Sequence, residues 1–239
     1  MEELTDPRRD SVRSFLARWY GRGGEGARGA LPAGPSVPGI PLELIDWHEA
    51  AAATGVDVVF QEYPVPLAEL ERSDDGMIVF WVENQGGYHW AVDPAQEGHP
   101  VHVRELGSDL WRDSGEPLEG FLLHSTVREA MLGADSKFSA VVPEPVLRDA
   151  LTAFTALPFP PFANESPSAR LYCGEDALAR VAPPPAGYVP DGGEPSWMLT
   201  VAVAAGADVR RYRSGLESYV PAGADRRPSA DVSADDLPF

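Results

Sequence analysis

The chain sets 37 acidic against 19 basic residues in a length of 239, a net charge of −18, with 44% of its residues apolar. That apolar share excludes a disordered chain, and the length is enough for one large domain or two small ones around a buried core. The acidity argues against nucleic acid and anionic membranes as partners and either favours basic proteins or serves only to keep the protein in solution, and no apolar run approaches the ~20 residues that cross a bilayer.

Residues 8–20 (RRDSVRSFLARWY) place Val12, Phe15, Leu16 and Trp19 on one helical face. The glycine-rich run at 21–29 ends that helix, and 31–39 (LPAGPSVPG) reads as a loop. A second helix is expected over 40–53, with Pro41 in its first turn and Gly55 as its stop. The period then changes. Residues 57–63 (DVVFQEY), 77–83, 88–92 and 100–104 are short, rich in Val, Ile or aromatic residues, and bounded by Gly, Pro, Asp or Asn. Their short links favour an antiparallel meander of about four strands. Helical spacing returns over 117–134, where Leu118, Phe121, Leu122 and Met131 share a face. The order is that of an α+β fold: a central, mostly antiparallel sheet packed by helices on one face and polar on the other.

The remainder is a C-terminal α/β extension. A short helix is expected over 145–156 and strands over 169–173 and 196–204, with Pro183, Pro184 and Pro185 between them. So few strands imply docking on the first half and no independent core. Residues 221–239 read as a flexible tail. The expected organisation is therefore 8–134, 135–220 docked on it, and the tail.

The centre, IVFWVENQGGYHWAV at 78–92, sets a hairpin turn signal (Asn84, Gln85, Gly86, Gly87) between two apolar runs. Trp81 and Trp90 stack across the hairpin or fall on opposite faces, depending on register. Glu83, Asn84 and Gln85 either fix the turn through side-chain hydrogen bonds or touch a partner. The series RSFLARWYG, IPLELIDWH, DGMIVFWVENQGGYHWAV, PVHVR, Trp111 and PLEGFLLHSTVREA resembles the SUKH superfamily, related to fungal Smi/Knr-type regulators, over roughly residues 8–134. The resemblance implies an α+β domain without catalytic residues. In bacteria that superfamily is dominated by immunity proteins of polymorphic toxin systems.

Catalytic and metal chemistry find little support. His89, His99 and His102, with Asp93 and Glu97 among them, dictate no third zinc ligand by spacing. Cys173, the only cysteine, has no nucleophile signature around it and cannot form an internal disulfide, which suits a reducing compartment. Ser73–Gly76 is an acidic turn lacking the twelve-residue calcium ladder, and no phosphate-binding glycine loop is present. The charged start lacks an apolar signal-peptide core, so a cytoplasmic location is expected. The expected function is an immunity protein, without cofactor or metal, that occludes a basic, nuclease-type toxin domain. Electrostatic steering would speed encounter, and aromatic anchors such as Tyr63, Tyr88 and Trp111 would slow release. An intracellular scaffold or regulatory module of the same fold is the alternative.

Overall fold

The computed structural model describes residues 1–21, 34, 37–185 and 196–220. Two short helices come first, α1 (Glu2–Thr5) and α2 (Ser11–Trp19). The apolar stripe of α2 is buried as its spacing dictates, and Phe15 stacks on Trp19 with ring centroids 5.7 Å apart. Leu4 of the unanticipated α1 joins the same core. α3 (Leu42–Thr54) follows Pro41 and stops at Gly55, whose φ of 69° lies in the left-handed region open to glycine.

The strand expected over 57–63 survives only at its last residue, since β1 is Tyr63–Pro64. The cause lies far along the chain. The fully buried Glu129 carboxylate accepts the N–H groups of Phe60 (2.5 Å), Gln61 (2.8 Å) and Glu62 (3.2 Å). Three successive amides turned toward one carboxylate cannot alternate as strand amides do.

β2 (Ile78–Val82), β3 (Tyr88–Val92), β4 (Pro100–Glu105) and β5 (Arg112–Pro117) complete an antiparallel sheet in the order β1-β2-β3-β4-β5. It has one strand more than expected, because the polar RDSGEP of β5 carries no apolar alternation. A bulge at Phe80 shifts the register: Val79 pairs with Ala91, but Trp81 pairs with Trp90. Strict alternation would send Ile78 and Trp81 to opposite faces, and the extra residue brings both inward. The two tryptophans therefore lie side by side, facing the helices. Trp81 meets Trp47 of α3 edge-on at 5.3 Å. Phe121 of α4 (Leu118–Gly133) meets Phe80, Trp81 and Trp90 at 5.4, 6.1 and 5.7 Å. α4 is more enclosed than a one-faced helix: His124, Ser125, Thr126, Arg128 and Glu129 are buried along with its apolar residues.

A second sheet accounts for that enclosure. It follows as β6 (Lys137–Pro143), α5 (Glu144–Ala150), β7 (Thr155–Ala156), β8 (Arg170–Cys173), β9 (Ala177–Ala182) and β10 (Ser196–Val203), with α6 (Arg210–Arg213) beyond. Its five strands run antiparallel in the order β6-β10-β9-β8-β7. The expectation of few strands and no separate core is thus corrected. β9 reads ALARVA, and alanine is a poor strand signal. The helix expected over 145–156 stops at Ala150. One face of this sheet, with Phe138, Val142, Val181, Leu199 and Val201, packs with Leu147 of α5 into its own cluster. On the opposite face Leu171, Cys173, Leu178 and Ala202 belong to the core of the first sheet. The connecting segment between β7 and β8 pins the halves together: Phe162 lies 4.9 Å from the ring of Trp90 and 5.4 Å from that of Phe121, and Phe159 stacks on His124 at 4.7 Å. The glycine-rich run beyond Gly21 and the expected tail at 221–239 lie outside the described residues. Among the described residues no helix is long and apolar enough to cross a membrane.

Candidate partner-binding site

The six residues singled out in the sequence gather at one end of the first sheet, in different roles. Glu83 is 9% exposed, and its Oε2 accepts the N–H groups of Gln85 (3.1 Å) and Gly87 (3.0 Å). The chain reverses through Gly86 (φ 73°), whose N–H donates to the Glu83 carbonyl at 2.7 Å. Glu83 therefore builds the turn, and Asn84 and Gln85 are exposed on it. Tyr88 leans inward beside Trp90, with ring centroids 6.2 Å apart. Tyr63 pairs with Val82, is 49% exposed, and donates its hydroxyl to Glu69 Oε2 at 3.3 Å. Trp111 donates Nε1–H to Asp75 Oδ2 at 2.9 Å and lies under the Arg104 guanidinium, 4.2 Å from the ring centroid. Hydrogen bonds from Ser73 and from Trp111 hold the Asp75 carboxyl below its usual range.

Two residues of this region escaped the sequence reading. Leu106 and Leu110, in the β4–β5 loop, are 70% and 74% exposed. The Leu106 N–H donates to the Gly87 carbonyl at 2.8 Å, so this loop lies against the β2–β3 turn. Single exposed leucines are ordinary, but here two share a short loop with Trp111, next to the turn that presents Asn84 and Gln85. Acids flank them, Glu105 and Asp109 in sequence and Asp75 on Trp111, together with the Arg104 guanidinium stacked on Trp111. The signal was present in LGSDLW, where leucines occupy a loop with nothing to pack against.

The other candidates take structural places. His89 and His102 share the outer face of the sheet, paired with Arg104 and Ala91; burial pushes His89 below its ordinary value. His99 Nδ1 lies 3.4 Å from Glu43 Oε1 of α3. No group of three His, Cys, Asp or Glu side chains converges among the described residues. The Cys173 thiol is buried, which raises its pKa, the reverse of an activated nucleophile. No family model, no curated protein and no solved structure matches the chain.

Proposed function

We propose that the chain is an immunity protein that binds and neutralises a basic toxin domain by covering it, with the turn end of the first sheet as the contact. The exposed Leu106 and Leu110, in one loop with the half-buried Trp111 and flanked by carboxylates, carry this reading. Apolar and aromatic anchors supply the desolvated centre of a protein contact, and a charged rim steers the partner. The net charge of −18 adds a long-range attraction for a basic partner. The resemblance of residues 8–134 to SUKH proteins supports the same class, and the function needs no catalytic set.

The test is binding to basic toxin domains encoded beside this gene. The wild type should bind one-to-one, with association slowing as salt rises. Leu110→Arg should weaken binding about tenfold or more while leaving the melting temperature unchanged, because the side chain is solvent-exposed. Absence of binding at low salt to any neighbouring toxin domain would reject the function. Tight binding untouched by Leu110→Arg and Leu106→Arg would reject the site.

A further inference from the structure

Between the end of α4 and the second sheet lies a cleft of ≈ 650 Å³, within the size range of small-molecule sites. Its floor is a cross-strand row. Ser139 of β6 pairs with Thr200 of β10, and Thr200 pairs with Arg180 of β9. The Ser139 and Thr200 hydroxyls lie 2.8 Å apart. This polar row interrupts a sheet face whose other part (Leu171, Cys173, Leu178, Ala202) is buried against the first half.

The walls add charge of one sign. In a chain with 37 acids, the cleft gathers Arg128, Arg180 and the only lysine, Lys137, against one acid, Glu165. Both arginines reach the same oxygen: Arg128 Nε and Arg180 Nε each lie 3.3 Å from Glu165 Oε1. Glu165 serves both guanidinium groups, which together carry ten N–H donors, and Glu62 adds only a longer ion pair to Arg128. Arg128 is 9% exposed, and its Nη1 has no hydrogen-bond acceptor. Glu62 Oε1 sits 3.7 Å from that nitrogen, beyond hydrogen-bond reach. Burial, partly offset by Arg128, raises the Glu62 carboxyl to about 7, so it neutralises Arg128 incompletely at neutral pH. The Lys137 ammonium donates to the Leu132 carbonyl at the end of α4. Beside these groups Met131, Leu132 and Leu171 give the cleft an apolar side.

We infer that this cleft is a binding site for a small organic carboxylate with an apolar body, its carboxylate held by Arg128 and Arg180 over the Ser139–Thr200 row. A monoanion fits better than a phosphate dianion, because Glu165 stays in the cleft and repels a second negative charge. The site lies between the two halves of the chain, lined by Gln61, Arg128, Met131 and Leu132 of the first and by strands of the second, and does not depend on the proposed function.

The probe is octanoate, titrated calorimetrically and by amide NMR into the full chain, with octanol, acetate and inorganic phosphate as comparisons. Octanoate should saturate, shift the amides of Ser139, Thr200 and Arg180, and bind about tenfold or more tightly than each comparison. Arg180→Gln should weaken octanoate about 10- to 100-fold, the span expected for a lost charge-assisted hydrogen bond. Should that variant unfold, the wild-type shift map alone decides. Failure of octanoate to saturate, equal binding of octanol or phosphate, shifts centred elsewhere, or a folded Arg180→Gln with unaltered affinity would each overturn the site.

Discussion

Replacing Glu129 by glutamine tests the account of the 57–62 loop most directly. The carboxylate is 0% exposed and accepts three N–H groups, two of them on Oε2. Glutamine retains one acceptor oxygen. Placed on Phe60 and Gln61, that oxygen leaves an amide nitrogen facing the Glu62 N–H, donor against donor. The substitution therefore deletes one charge-assisted bond and weakens two. At about 1.5–3 kcal/mol per bond to a charged group, the loss is about 3–5 kcal/mol, a large fraction of the 5–15 kcal/mol that holds a typical domain. For a chain of this size it corresponds to a fall in melting temperature on the order of 10 °C. Urea unfolding of both proteins, with equal slopes, measures the difference. Amide exchange at residues 60–62 should quicken more than exchange in β2 or β3. A loss below about 1 kcal/mol, or unchanged exchange at these amides, would show that the carboxylate does not hold the loop.

Glu62 makes stability depend on pH in an identifiable way. Its carboxyl sits at about 7 in the folded chain against an ordinary value of 4.5, so between those values the native state binds the extra proton and stability falls as pH rises. Glu62→Gln removes the term, so its stability relative to wild type should climb by up to about 3 kcal/mol from pH 4.5 to 7; a difference flat across that window refutes it. Phe162→Ala should cost about 3–5 kcal/mol, because the 3% exposed ring touches Trp90, Phe121 and His124, and near-ultraviolet circular dichroism should report the loosened tryptophan; a cost near zero would mean that the segment only drapes the surface. Cys173 should resist an aromatic disulfide reagent in the native protein and react on addition of denaturant, since its thiol is buried and raised; stoichiometric labelling without denaturant would contradict the packing.

The sequence disclosed the elements whose residues sort by local period. The stripe of α2, the Gly55 stop, the hairpin at 84–87 and strands β2 to β4 all follow from neighbours in the chain. What stayed hidden depends on distant partners. The loop at 57–62 looks like a strand until Glu129, 67 to 69 residues away, takes its amides. The facing of Trp81 turned on a single-residue bulge that alternation cannot reveal. The second sheet was under-read because β9 is alanine-rich, and because β6 follows a helix without a breaker stronger than Gly133 and Asp135. Of the candidate site, Glu83 as a turn-former and the exposure of Asn84 and Gln85 were legible. The leucines of the β4–β5 loop were legible only in hindsight, and the cleft at Arg128 and Arg180 required knowing which strands pair.

The placement of Phe159 and Phe162 has a consequence for vectorial synthesis on the ribosome. All five strands of the first sheet are translated by residue 117, yet two rings covering Trp90, Phe121 and His124 arrive some forty residues later. Until then the nascent chain presents an uncovered aromatic surface, the sort of surface that chaperones engage and that aggregates form from. A stop codon just after α4 would make that transient condition permanent, so early-truncated chains should be cleared as misfolded and should not persist as smaller working versions.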